Sequence, residues 1–550
     1  MTPPSPALTR CDPSSVKARR MNLPADPASI RRGVYTLLIV VAVAGLAGRI
    51  VGVGRVYEPW LSRPPGATDD PRGDWAATRP EPVPTHGDND RSRWATVRAL
   101  VENHTYAIGH RPAEVTAESA VAPLGADNGL QAVLLFAAGS QARVKSDTGI
   151  VFEDGWKSID KVMNPDTHDF YSSKPPLLPT LVAGEYWLVN KTLGWSMTDE
   201  RHRWDVVPAI LLTLNALPWA IALWLLARLA ERHGSTDWGR YFVLAAACFG
   251  TFVTTFSVTL NNHTVAAWSA MFALYAAVRI WSPDADRATP FYLFPVAGFF
   301  AGFTACNELP AAAFAAALFV LLLWRAPGRT LAGFLPALLV PVAAFFLTNY
   351  LAIGELNPAY EKFGGPWYDY EGSYWRKARG IDTAGSQESR GVYAFHLLLG
   401  HHGAFSLTPI FLLSLVGILM LLRDLGPALF GDGKEGAAPE VTARRGLTLA
   451  GLLTLGVTAV VLAFYILFLD ERKRNYGGWT SGPRWLIWLA PLWLVALLPA
   501  ADWLARRRWG RVVGYALLAV SVLSVSYPQY SPWRHPWLYN FLEAHGLVKY

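Results

Sequence analysis

The chain has 550 residues, 52% of them hydrophobic and only 17% charged, whereas soluble domains carry roughly 25% charged residues. That balance and the positive mean hydropathy exclude an ordinary soluble globular domain. The formal charge of +7 does not mark a nucleic-acid binder, because Lys and Arg fall in short clusters between apolar runs. Cys11, Cys248 and Cys306 are far apart and make no disulfide or zinc framework.

Residues 1–33 are polar, proline-rich and basic, and are expected to be a disordered cytoplasmic tail. The apolar stretch 34–53 is too long for a signal-peptide core and lacks a clear small-residue cleavage site. It is predicted to be a retained signal anchor and the first transmembrane helix. Residues 54–174 form the longest hydrophilic region, rich in Pro, Gly, Asp and Trp. Within it, DRSRWATVRALVENH reads as an amphipathic helix with Trp94, Val97, Leu100 and Val101 on one face.

Apolar runs follow at 176–192, 205–229, 241–260, 264–281, 291–306, 309–325, 331–352, 403–423, 447–469, 484–504 and 511–527. They predict an all-α integral membrane protein, a bundle of about 11–13 transmembrane helices. Its parts are the bundle segments 175–352 and 403–527, an aromatic loop at 353–402 and a C-terminal tail at 528–550. No internal repeat and no separable soluble domain beyond the first loop is evident in the sequence.

Charge sets the expected topology. The connections RLAERHGSTDWGR, RIWSPDADR, WRAPGRT, LLRDLG…TARRG and LARRRWGR are basic and alternate along the chain, which assigns them to the cytoplasm. The first loop, TLNNHT, CNELP, the aromatic loop, DERKRNYGGWTSGPRW and the C-terminal tail then face outward. The N-terminus is cytoplasmic, in a multi-pass protein of the plasma membrane. The loop with Arg472, Lys473, Arg474 and Arg484 is basic against the rule, which hints at function. The charges agree only if one early segment does not cross. The run after YSSKPPLLP is short and carries Glu185 and a double proline. It is expected to be a juxtamembrane or re-entrant helix, with a full span as the alternative, and Lys174 stays at the outer surface either way.

The outward side thus collects acids (Asp88, Asp90, Glu308), cations (Arg93, Lys174, Arg484), Tyr171 and His263, while the inward side holds short basic turns. An enzyme acting on an outer-leaflet lipid substrate needs such asymmetry. Each residue also has a bland reading: a solvated Asp, a snorkelling Lys174, an interfacial Arg484–Trp485 pair, helix caps at Asn261 and Asn262. Adjacent His401 and His402 rarely share one ion, and no metal site is assigned to them. The aromatic loop around Trp367, Tyr368, Tyr370, Tyr374 and Trp375 would either stack a sugar or rest at the interface. Asn-x-Thr triplets at Asn103, Asn190 and Asn262 carry little weight without a glycosylating compartment.

Three short motifs carry a resemblance. Asp90-Arg91-Ser92-Arg93-Trp94 followed by ATVRALVEN is similar to an acidic D-E-x-R-Y motif and its helix. KPPL stands at Lys174 to Leu177, and GPRWLIWLAP at Gly482 to Pro491 is similar to a late G-x-R-Y/W element. In these motifs and in its hydropathy the chain resembles the GT-C glycosyltransferases of the protein mannosyltransferase and aminoarabinose transferase kind. The resemblance implies a GT-C helix bundle with a long extracytoplasmic first loop. It also implies transfer of a sugar from a polyprenyl-phosphate donor to an extracytoplasmic acceptor of the cell envelope: protein, glycolipid or polysaccharide.

Inverting transfer needs a carboxylate to take the acceptor's proton. The resemblance points to Asp90, with Asp88 as fallback, and to Lys174 and Arg484 as holders of the phosphate. No P-loop or dinucleotide motif occurs, and no cofactor is assigned; a divalent-cation requirement stays open. Arg91 stands where the family has a second acid, and about 60 residues separate the helix from KPPL. The rival classes are a transporter or lipid flippase, and a catalytically inactive protein of the same architecture.

Overall fold

The computed structural model describes residues 26–53, 85–112, 147–153, 155–199, 201–284, 288–376, 388–430, 439–470, 473–528 and 531–548. The expected disordered tail up to residue 25, much of the first loop, Cys11 and Arg472 lie outside them.

Among the described residues, eight helices are long and apolar enough to cross a membrane: Pro27–Gly52, Asp205–His233, Asp237–Phe256, Asn262–Trp281, Pro327–Ile353, Arg444–Phe468, Arg484–Ala505 and Arg508–Ser526. Three shorter apolar helices accompany them, at Leu293–Asn307, Leu309–Arg325 and Pro409–Leu422. The chain is therefore an all-α, multi-span integral membrane protein, as its apolar runs predict. The expected 11–13 spans are reached only by counting the short helices.

Several boundaries move. The first helix begins at Pro27, inside the expected tail, because Arg31 is held by Glu231 at 2.7 Å and by Asp237 at 3.3 Å. The run after KPP forms a 17-residue helix, Leu177–Leu193, closed by Gly194 in the left-handed conformation. It is not among the helices long and apolar enough to cross, and it packs against the amphipathic helix Asp88–Glu102. Two further helices, Arg390–Leu398 and Trp537–Ala544, lie in segments expected to be loop and tail.

Close packing inside the bundle depends on small residues. A Cβ at Gly298 would stand 2.0 Å from the carbonyl oxygen of Phe334, so the Leu293–Asn307 helix lies backbone to backbone against its neighbour.

The polar layer also holds a small sheet, which the reading of the first loop does not include. Strands β1 (Gly109–His110), β2 (Lys161–Met163) and β3 (Asp169–Ser172) pair antiparallel in the order β1-β3-β2. The aromatic segment closes over it: Met163 N donates to the Trp367 carbonyl at 3.0 Å. Val162, Ala359, Trp367 and Tyr368 form a separate apolar core there. Trp367, Tyr368 and Tyr370 are thus buried, while Tyr374 remains exposed.

The connections segregate by end. At one end Asp90 meets Leu260, Asn262 meets Asn307, and Ser481 N donates to Pro532 O at 2.9 Å. At the other, Arg279 pairs with Asp284 at 2.8 Å, and Asp502 accepts from the amides of Ser235 and Thr236 at 2.7 and 2.9 Å. The loops read as outward thus share one end, and the basic turns the other.

Candidate active site

The site grows from the first turn of the Asp88–Glu102 helix. Its apolar face packs as the sequence pattern requires, with Trp94 and Val97 fully buried. Its polar face is buried too: Asp90, Ser92, Arg93 and Thr96 are each at most 2% exposed. A helix sunk to this depth on both faces needs a partner for every polar group.

Asp90 is held by two backbone amides, Leu260 N at 2.7 Å to Oδ1 and His86 N at 3.1 Å to Oδ2. Burial pushes its carboxyl up to about 6, although these amides and the nearby Arg91 and Arg93 oppose the shift. Asp88 accepts the Ile159 amide at 2.8 Å, and its backbone carbonyl accepts from Ser158 Oγ at 2.9 Å. Burial and the neighbouring Asp160 raise its carboxyl as well. Asp88 thereby anchors the loop that delivers Asp160.

Lys174 lies just before the proline corner, its Nζ 3.0 Å from Asp160 Oδ1. Asp160 itself is fixed through its carbonyl, which accepts from Ser92 Oγ at 2.6 Å and from Ser173 N at 3.1 Å. Burial lowers the proton affinity of Lys174, and the cations of Arg93 and Arg484 lower it further against the pull of Asp160. Three cations therefore share one field, from the amphipathic helix, the KPP corner and the GPRW element.

Arg93 is tied in by a relay. Its Nη2 donates to Asn262 Oδ1 at 2.5 Å, and Asn262 Nδ2 donates to Glu308 Oε1 at 2.7 Å and to Asn307 O at 2.8 Å. Glu308 Oε1 also meets His263 Nδ1. Asn261 caps the Asn262–Trp281 helix, its side chain accepting from Thr264 N at 3.0 Å, but Asn262 is a bridge rather than a cap. Its triplet is consumed by this buried network.

Arg484 sits over the Trp533 ring at 5.3 Å and farther from Trp485, at 6.0 Å. The GPRW arginine is thus gathered into the loops rather than paired simply with its neighbour at an interface. Gly477 makes room for it: φ is +105° there, and a Cβ would stand 2.9 Å from Arg484 Nε.

The structure thus assembles Asp90, Arg93, Lys174, Arg484, His263 and Glu308 around one charged centre. Tyr171 is set against Trp367 at 6.2 Å between ring centroids and borders the cleft beside Lys174. Asp160 is the partner that sequence reasoning missed, since no motif marks a single Asp in that loop. His401 and His402 lie elsewhere, packed with His396, Tyr476 and Tyr539. Among the described residues no three His, Cys, Asp or Glu side chains are grouped to hold a metal ion. Glu308 and His263 supply two donors, fewer than a divalent cation takes.

Fold and site together define a multi-span helical membrane protein with a buried, charge-dense centre under one polar layer. No family model matches the chain, and no curated protein matches it. Among solved structures it is similar to the apo form of the Archaeoglobus fulgidus oligosaccharyltransferase, with TM-score 0.38 and 11% identity over 90% of this chain. The chain spans 55% of the length of that structure, and a likeness so distant carries no argument about family or activity.

Proposed function

We propose that the chain is a membrane glycosyltransferase of the GT-C kind that moves a sugar from a polyprenyl-phosphate donor to an acceptor outside the cytoplasm. The observation that carries this reading is the convergence of Arg93, Lys174 and Arg484 beside Asp90 and Asp160. Three fixed cations suit a leaving phosphate, whose charge grows as the glycosidic bond breaks. In this reading the acceptor hydroxyl attacks the anomeric carbon, Asp90 takes its proton, and the polyprenyl phosphate departs as an anion held by the cations. Both Asp90 oxygens accept one amide each, which leaves lone pairs for that proton. Asp88 is engaged in fixing the loop, which favours Asp90 as base.

The polar layer would face the outside, and the basic turns at the opposite end the cytoplasm, with the N-terminus inside and the protein in the plasma membrane. The test supplies membranes holding the full chain with radiolabelled polyprenyl-phosphate sugars and follows label into acceptor. Transfer by wild type that Asp90→Asn reduces by roughly 10²-fold or more supports the reading. Full activity in the variant removes Asp90 as base.

A further inference from the structure

A narrow cleft of about 20 Å³ opens beside Lys174 between the polar layer and the last turns of the Pro327–Ile353 helix, and a sugar would have to widen it. Tyr106, Tyr171, Ser172 and Lys174 line one side, and Asn349 and Ile353 the other. Asn349 is fully buried, on a helix whose neighbouring Leu347, Tyr350 and Leu351 are more than half exposed toward lipid. Its Nδ2 donates to the Phe345 carbonyl at 2.8 Å, which fixes the amide's orientation, and its Oδ1 accepts from no protein group. A buried orphan acceptor is destabilising, and native proteins keep few of them.

The two polar groups of this cleft set opposite demands. Lys174 has three N–H donors and shares its ammonium with Asp160, so it can still receive an anion. Asn349 Oδ1 is an acceptor, which a phosphate oxygen cannot satisfy; it needs a hydroxyl or N–H. One ligand meets both demands if it joins a phosphate to a polyol. We propose that this cleft seats the sugar of a lipid-linked glycosyl phosphate, with Asn349 Oδ1 accepting from a sugar hydroxyl while Lys174 holds the phosphate. This rests on the functional reading above and adds a residue that selects the sugar-loaded lipid over the bare carrier.

The test measures binding to the full chain in nanodiscs of three probes: decaprenyl phosphate, decaprenyl phosphate carrying mannose, glucose or galactose, and phosphatidylglycerol. Wild type is expected to prefer at least one sugar-loaded lipid over decaprenyl phosphate. Asn349→Leu is expected to reduce that preference about five- to tenfold, the worth of one hydrogen bond, and to leave decaprenyl phosphate binding unchanged. Asn349→Ser, which shortens the group without apolar bulk, gives the same readout where the leucine variant does not fold. A preference that survives substitution, or an equal loss for both lipids, overturns the proposal alone. So does a wild type that prefers no sugar-loaded probe, or one in which phosphatidylglycerol is the lipid whose binding Asn349 controls. Failure of wild type to bind any polyprenyl lipid overturns the functional reading as well.

Discussion

Lys174 Nζ stands 3.0 Å from Asp160 Oδ1, with the lysine one-fifth and the aspartate less than one-tenth exposed. The ammonium is thereby kept charged in a place where burial, Arg93 and Arg484 all work against the charge. Removing the carboxylate leaves the cation without its counterion. Asp160→Asn should lower the proton affinity of Lys174 further. Loss of donor binding, which needs the ammonium, then sets in at a lower pH than in wild type. The variant should also be less stable, by less than the roughly 3–5 kcal/mol of a fully enclosed pair, and Asp160→Asn combined with Lys174→Met should recover part of it. Binding of polyprenyl phosphate against pH, and thermal denaturation in detergent, check both.

Asp90 gives the acidic side of the profile. Its folded-state carboxyl lies near 6 against 3.8 unperturbed, and a base must be ionised to act. The transfer rate should rise with pH up to about 6 and level off above it. Because the folded value is the higher one, ionisation works against folding. The stability of wild type relative to Asp90→Asn should fall between pH 3.8 and about 6 and stay level beyond. A rate profile flat from pH 5 to 7 would contradict the assignment of this carboxyl.

Asn262 links Arg93 to Glu308 by two direct hydrogen bonds. Asn262→Ala should leave a guanidinium donor and part of a carboxylate unmet, lowering stability by about 1–3 kcal/mol. It should also weaken donor binding, since Arg93 keeps its bonds to Asn89 but loses the one that orients its other nitrogen. Denaturation midpoints and the donor KM measure the two effects.

Gly477 keeps space for Arg484 at a positive φ. Gly477→Ala should cost about 1–3 kcal/mol through backbone strain and push the arginine off its seat over Trp533. The expected sign is a raised donor KM, beyond what Gly478→Ala produces, because a Cβ at Gly478 meets nothing within 4 Å.

The spans were legible because a bilayer demands long apolar runs, and those at Asn262–Trp281 and Arg484–Ala505 appear within about two residues of their expected limits. The grouping of loops by end followed from where Lys and Arg fall. The sheet was not legible, since strands of two to four residues leave no period to read. The aromatic segment misled for a related reason. Its Trp367 and Tyr368 look like surface aromatics in a polar loop, yet they build a core with Val162, about 200 residues earlier in the chain. Asp160 stayed hidden because its importance comes from meeting Lys174 in space, and spacing along the loop does not encode that meeting. Asn262 looked like a cap because Asn at a helix start usually is one.

The central claim is that Lys174 and its neighbouring cations hold a lipid phosphate while Asp90 accepts the acceptor's proton. Single-turnover release of labelled polyprenyl phosphate from a sugar-loaded donor, in proteoliposomes holding the full chain, tests it most directly. Wild type should release it in an acceptor-dependent burst. Asp90→Asn should still bind the donor yet lose the burst, and Lys174→Met should lose donor binding. Donor bound and turned over equally well by Lys174→Met, or no release by wild type with any sugar-loaded polyprenyl phosphate, would contradict the account.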